Sequence, residues 1–395
     1  DIIKNILASF GVKGISIIIQ LLLVPLTIGY VNPSQYGIWL TLSSIIAWFS
    51  FFDIGFGNGL RNRFAEARVS EDYKKAKAYI STTYICLAII FSVIWVLFFL
   101  AHSMIEWDLI LNAPSEMAKE LAEVSIIIVS FFCLQIILKT INTILIADQK
   151  PAKSAFFDML GQLLCLIIIF ILTKFTSGSL TNLSLVLGIC PVVIMSLSSF
   201  FLFTGDYSKY RPSIFLFDIT IVKDILSLGS KFFYLQIAAV IIFQVTNIII
   251  TQVLNPTSVT IYNITWRYFG VIIMLSSIIF SPFWSAFTDA FKQNDYSWMR
   301  DSLKKLTKVA VFLSLGAGVM LMLSPFAYKL WIGDSVQIPF NLSVVMFLIT
   351  VSSIFTSLQF QLLNGMGKLK VQLIVVSIGI LFNVPFSIIL SKYIG

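Results

Sequence analysis

Charge is scarce in this sequence. Of 395 residues, 12% are Asp, Glu, Lys or Arg, while 58% are hydrophobic and the mean hydropathy is +0.94. A soluble globular domain carries about a quarter of its residues charged, so this composition excludes a water-clothed surface and describes an integral membrane protein. Histidine is nearly missing. The single His102 falls at an outer helix end, which leaves no histidine-based metal or nucleophile chemistry to expect. The four cysteines, Cys86, Cys133, Cys165 and Cys190, lie in apolar runs without paired spacing, so they read as small buried hydrophobes rather than a zinc site or disulfide framework. Long polar connections are missing too. None exceeds roughly twenty residues, which leaves no room for a soluble domain on either face. The chain begins without a basic-apolar-small leader, so the first span is expected to direct insertion itself.

What is present is hydrocarbon-spanning length. Apolar runs cover about 6–28, 36–60, 79–101, 121–146, 154–174, 180–203, 225–253, 259–287, 304–331, 340–363 and 371–391, which predicts eleven transmembrane helices. No ten-residue alternation suggests a membrane barrel. The net charge of +8 then reports topology rather than nucleic-acid binding. With a cytoplasmic N-terminus, 19 of the 27 basic residues fall on the inside and 4 on the outside. The remaining four, Lys13, Lys139, Lys231 and Arg267, fall within spans, where a charge is costly unless it faces a wet cavity or snorkels.

The chain repeats itself. At one constant offset and with no gap between the matches, Asn32-Pro33-Ser34 pairs with Asn255-Pro256-Thr257, Phe64-Ala65-Glu66-Ala67 with Phe287-Thr288-Asp289-Ala290, and Asp72-Tyr73 with Asp295-Tyr296. Ser9 to Lys13 also resembles Ser227 to Lys231. Two parallel halves of six spans each are therefore expected. These are an N-terminal lobe 1–204, a cytoplasmic linker 205–224 and a C-terminal lobe 225–395 whose twelfth span would lie beyond Gly395.

The start from Lys4 to Lys13, the stretch VNPSQYGIWLTL (31–42) and the stretch FFDIGFGNGLRNRFAEA (51–67) resemble the polysaccharide-transport branch of the multidrug/oligosaccharidyl-lipid/polysaccharide exporter superfamily, most closely the O-antigen flippases of Gram-negative bacteria. The resemblance implies an all-helical, V-shaped pair of pseudo-symmetric bundles in the bacterial inner membrane, with a central cavity. It implies as substrate an oligosaccharide on undecaprenyl diphosphate, moved from the cytoplasmic to the periplasmic leaflet by alternating access. Membrane lipids and the O-antigen polymerase machinery are the implied partners, with no nucleic acid and no cofactor.

Such a substrate needs a polar, cationic path through hydrocarbon. Lys13, Ser16, Gln20 and Thr27 share one face of span 1. Gln236, Gln244, Asn247 and Thr251 share one face of span 7, and Thr260, Asn263 and Arg267 one face of span 8. Lys13, Lys231, Arg267 and Lys139 are the candidate substrate-binding cations, the first two matched by the repeat and able to hold a diphosphate. The polar candidates are Ser16, Gln20, Gln236, Gln244, Asn247 and Asn263; helix-to-helix hydrogen bonding is the plainer account of any one of them. Asp53 and Asp158 are candidates for proton or sodium coupling, although Asp53 more simply neutralises Lys13 or Arg61 as a structural pair, and Asp158 could pair with Lys139 or Lys153. The glycines Gly55, Gly57 and Gly59 would loosen the inner end of span 2 or admit a neighbour. Arg61, Arg63 and Arg68 read as anchors to anionic headgroups. Trp39, Trp48, Tyr262, Trp266 and Trp284 could stack on sugar rings or form an interfacial belt. A multidrug exporter of the same superfamily is the alternative, disfavoured because intramembrane cations outnumber carboxylates. A polymerase or ligase is disfavoured because no large outer loop carries clustered arginines or carboxylates.

Overall fold

The computed structural model describes residues 2–49, 55–148, 150–226, 245–281 and 283–366, with scattered positions between 374 and 389. Every regular element among them is helical. The principal helices are α1 (Ile2–Tyr30), α2 (Pro33–Ala47), α3 (Phe56–Val69), α4 (Tyr73–Ala101), α5 (Trp107–Ile110), α6 (Ala118–Leu138), α7 (Thr140–Ala147), α8 (Pro151–Phe175), α9 (Leu180–Thr204), α10 (Pro256–Phe280), α11 (Phe283–Lys292), α12 (Tyr296–Ile332) and α13 (Phe340–Gly365).

Eight helical stretches among the described residues are long and apolar enough to cross a membrane, and they coincide with spans 1, 3, 4, 5, 6, 8, 9 and 10 of the sequence reading. Most of the expected span 7 and about half of span 11 lie outside the described residues. Span 2 is corrected. A single helix over 36–60 was expected, but α2 stops at Ala47 and α3 starts afresh at Phe56. Gly55 caps α3 at φ 83°, a left-handed conformation that ends helical geometry and that glycine adopts without a Cβ penalty. Span 8 shortens likewise: α10 ends at Phe280 and α11 is a separate helix. Pro282 of the sequence cannot donate to a continued ladder.

The repeat is visible in the turn before the third span of each half. Glu71 and Asn294 adopt matching positive φ values of 57° and 58°. The next residues, Asp72 and Asp295, cap α4 and α12 by accepting hydrogen bonds from the backbone N–H groups of Lys75 and Trp298. The Asp72 N–H donates to Ala67 O and the Asp295 N–H to Ala290 O, so one hydrogen-bonded turn is built twice, once in each half of the repeat.

The chain divides into two compact units, Asp1–Pro256 with Ser387–Gly395, and Thr257–Phe386. In the first, α1 packs along α8, α9 packs on both α6 and α8, and α3 is held by α4 and α7. In the second, α13 takes α11 and α12. On α12 the inward stripe Met299, Leu306, Ala310, Leu313 and Ala317 is buried, while Phe312, Met322, Phe326 and Leu330 are exposed on the other side. A helix apolar on both its inner and outer faces has lipid as its solvent.

One polar network ties the basic end of the first unit together. Asp148, just past α7, is only 3% exposed at its side chain; it pairs with Arg68 of α3 and with Lys150 at 2.8 Å, and accepts the Tyr207 hydroxyl. Burial, followed by the bond to Asp148, raises the Tyr207 pKa well above the usual phenol value. Arg63 of α3 pairs with Glu66 at 2.8 Å and with Asp224, whose other oxygen accepts the Tyr79 hydroxyl at 2.6 Å. Arg63 and Arg68 are thus bound by carboxylates, where the sequence suggested headgroup anchoring. Gly59 lies against the backbone of Ile225 so closely that a Cβ would overlap its carbonyl. The Gly/Arg-rich stretch is therefore a bracket: α3 joins α4, α7 and the segment after α9.

Candidate functional site

Five helices of the first unit enclose a cavity of about 480 Å³. Its wall follows helical periodicity: Phe131, Phe132 and Gln135 on α6 with Lys139 just past its end, Asp158, Gly161, Gln162 and Cys165 on α8, and Ser184, Leu187, Gly188 and Pro191 on α9. Trp39, Ser43 and Ile46 of α2 and Leu23 of α1 complete it. Two glycines let the helices close around it without filling it. Gly161 faces Pro191, and a Cβ there would sit 3.4 Å from the Pro191 Cα; Gly188 lies against the Phe131 side chain with no room for a Cβ.

Charge and amides gather on one side. Lys139 stands at the interruption between α6 and α7, where its own N–H still reaches Gln135 O at 2.8 Å but the helix restarts at Thr140. It is both exposed and cavity-lining, so the cavity reaches the surface of the unit there. Asp158 is half-buried, accepts Asn142 Nδ2 at 3.1 Å, and lies within electrostatic reach of Lys139. Gln135 Nε2 donates to Gly188 O at 3.4 Å, and Gln162 Oε1 accepts from exposed Gln20 at 3.4 Å. Three polar atoms of lining residues, Trp39 Nε1, Ser43 Oγ and Ser184 Oγ, are packed away from open space without a hydrogen-bond partner.

Of the residues singled out in the sequence, Trp39, Lys139, Asp158 and Cys165 line this cavity, with Gln20 one hydrogen bond behind. Lys13 is exposed and Ser16 half-buried on α1, and neither is in the cavity wall. Asn247 is buried and donates to Ser44 Oγ at 2.7 Å, and the Thr251 hydroxyl meets that of Thr41 at 2.5 Å; both stitch helices together. In the second unit, Arg267 is half-buried on α10 and Asn263 donates to Val259 O at 2.8 Å. Asp53, Lys231, Gln236 and Gln244 lie outside the described residues. Gln135, Gln162, Ser43 and Ser184 were not singled out. A signal existed, because Gln135 sits four residues before Lys139 and Gln162 four after Asp158, each on its partner's helix face. Among the described residues, no group of three or more His, Cys, Asp or Glu is placed to hold a metal ion.

Known proteins resemble this chain in sequence and in fold. The family model described as polysaccharide biosynthesis protein matches residues 2–287. A Salmonella typhi protein provisionally named an O-antigen transporter is 22% identical over 370 residues, spanning 91% of this chain and 82% of its own. A Yersinia pseudotuberculosis protein provisionally named an O-antigen export protein is 20% identical over 391 residues, spanning 97% and 86%. The inward-facing conformation of a multidrug resistance MATE family transporter of the MOP superfamily superimposes with a TM-score of 0.73 at 16% identity, covering 98% of this chain and 87% of that one.

Proposed function

The chain belongs to the polysaccharide biosynthesis protein family, a family of membrane transporters and not enzymes, and on that premise we propose that it carries an undecaprenyl-diphosphate-linked O-antigen oligosaccharide from the cytoplasmic to the periplasmic leaflet of the bacterial inner membrane. The single observation that carries this reading is the family match over most of the chain, joined by two relatives named for O-antigen transport. The physical task fits: sugars and diphosphate cannot enter hydrocarbon unaided, while the polyprenyl tail stays in lipid.

Transport proceeds by alternating access of two six-span lobes, 1–204 and 225 onward, joined by 205–224, with the N-terminus in the cytoplasm. Lys13, Lys231 and Arg267 are the cations that draw the diphosphate, and Lys139 is the fourth. Asp158 of the cavity and Asp53 are the carboxylates that exchange a proton or sodium ion during the cycle. A multidrug exporter is the second reading, and the likeness to the MATE transporter motivates it. That likeness, at 16% identity, is one of fold.

The test is deletion with rescue. Without the protein, lipid-linked units accumulate on the cytoplasmic leaflet; the wild type clears them, and the Lys13→Ala, Lys231→Ala double variant does not. Normal surface polysaccharide in the double variant removes both lysines from the mechanism. A change in drug tolerance with surface polysaccharide unaltered in the deletion strain would transfer the assignment to the multidrug reading.

A further inference from the structure

The connection that follows α9 turns its apolar side chains outward. Ile214, Phe215, Phe217 and Ile219 are all exposed, Ile214 at 80% and Phe215 at 96%. The backbone that carries them is nevertheless held firmly. The Ser213 N–H donates to Ser81 Oγ at 3.0 Å, the Asp218 N–H donates to Thr82 Oγ1 at 3.2 Å, and the Thr82 hydroxyl donates to Leu216 O at 3.4 Å. On one side of this strap the Tyr210 ring lies against those of Phe64 and Tyr73, with centroids 5.2 and 6.0 Å away; on the other, Asp224 holds Arg63 and Tyr79. The apolar side chains therefore point away from the first unit because their backbone is tied to it.

α4 sets the depth of the strap. The helix starts with Lys74, Lys75 and Lys77, and Ser81 follows Lys77 by about 6 Å of helix rise. The exposed apolar residues of the same membrane-spanning helix, Ile89, Val93, Val96, Leu97 and Leu100, begin about 12 Å further on. The strap thus crosses α4 between its basic start and its lipid-facing stripe, the level at which headgroups meet acyl chains. Outward Ile and Phe side chains at that level have the bilayer boundary as their neighbour.

Charge identifies the lipid. The three carboxylates of residues 205–224 are all engaged: Asp206 by Lys153 at 3.2 Å, Asp224 by Arg63, and Asp218 by the N–H and hydroxyl of Thr220, each at 2.7 Å. The three cations, Lys209, Arg211 and Lys223, are exposed and form no ion pair among the described residues. Cations left over beside an apolar stripe fit anionic headgroups, to which long basic side chains can reach. A two-fold contact with a second copy would instead bring the same three cations together.

We propose that residues 209–223 form an interfacial anchor for anionic phospholipid, in which Ile214, Phe215, Phe217 and Ile219 enter the acyl boundary and Lys209, Arg211 and Lys223 meet headgroup phosphates. The headgroup contact expected of Arg63 and Arg68, which carboxylates occupy, belongs to this segment. The anchor is independent of the cargo and of the transport reading.

The experiment is electron paramagnetic resonance on the full chain in nanodiscs of phosphatidylglycerol or phosphatidylcholine, with a nitroxide at Phe215→Cys and labelled wild type as the native-thiol background. Phe312→Cys on the exposed side of α12 is the lipid reference and exposed Ser115→Cys the water reference. The label at 215 is expected to meet oxygen more readily than a water-soluble nickel chelate, as at 312 and unlike 115, and to be immersed more deeply in phosphatidylglycerol. The triple variant Lys209→Gln, Arg211→Gln, Lys223→Gln is expected to lose that lipid preference. Salt at roughly 1 M, where the screening length is about 3 Å, is expected to abolish it in the chain with its cations intact. The proposal is overturned if the nickel chelate reaches 215 as it reaches 115, or if both probes are excluded, which would mean that protein covers the patch. Equal immersion in the two lipids, or a preference that survives both the triple variant and salt, also overturns it.

Discussion

Asp148 holds Arg68, Lys150 and the Tyr207 hydroxyl with a carboxylate that is almost wholly buried. Replacing it by alanine leaves two cations and a phenol facing an apolar gap. Because Arg68 and Lys150 are themselves two-fifths exposed, solvent screens part of the loss, and Asp148→Ala is expected to destabilise by the low end of about 3–5 kcal/mol, read from thermal unfolding in detergent. Tyr207 adds a pH signature. Its folded pKa is raised by burial and by the bond to Asp148, so its contribution is complete below the unfolded phenol value of about 10 and is lost as pH rises beyond it. Tyr207→Phe removes that alkaline slope; a variant whose stability falls in this alkaline range as steeply as wild type contradicts the assignment. At the cavity wall two glycines make opposite predictions. Gly188→Ala drives a methyl into the Phe131 side chain and costs about 1–3 kcal/mol by overpacking, whereas Gly161→Ala meets Pro191 at an ordinary contact distance and is tolerated. Equal unfolding midpoints for the two variants would show that the packing is not as described.

At the scale of elements, the helix breaks matter more than the helices. A twenty-residue apolar run is a one-dimensional signal, so eight spans were legible in the sequence where they are found. Hydropathy is blind to φ, and the divisions after Ala47, at Lys139 and after Phe280 passed unseen, although Gly55 stood in the sequence as a mark of the first. Gly55→Ala places a Cβ in the left-handed region and is expected to cost about 1–2 kcal/mol; an unfolding midpoint equal to wild type means the α2–α3 break does not need that geometry. The repeated turn was legible, because it is spelled by the same capping aspartate and tyrosine in both halves. The cavity was half legible. Lys139 and Asp158 announce themselves as charges in apolar runs, but Ser43 and Ser184 become informative only once α2 and α9 meet, with six other helices between them in chain order. Chain separation also hid the partners of Arg63 and Arg68, since Asp148 follows α7 and Asp224 lies beyond α9, both remote from α3 in sequence.

For the whole molecule the governing asymmetry is electrostatic. Nineteen basic residues were assigned to one side of the membrane and four to the other, and positive charge is retained on the cytoplasmic side. The network around Asp148 and Asp224 gathers Arg63, Arg68 and Lys150 at one end of the first unit, and Lys153 meets Asp206 at 3.2 Å. If that end is cytoplasmic, the exposed Ser208 beyond α9 faces the cytoplasm and the exposed Ser115 before α6 faces the periplasm. Native thiols give little background, because Cys133, Cys165 and Cys190 are buried and Cys86 is half-buried. In spheroplasts, a membrane-impermeant maleimide is therefore expected to label Ser115→Cys at once and Ser208→Cys only after permeabilisation. The opposite pattern would invert the protein in its membrane. The basic bracket would then stand on the periplasmic face, and Lys13, Lys139 and Lys231 would lie near the outer leaflet, unable to meet a substrate delivered from the cytoplasm.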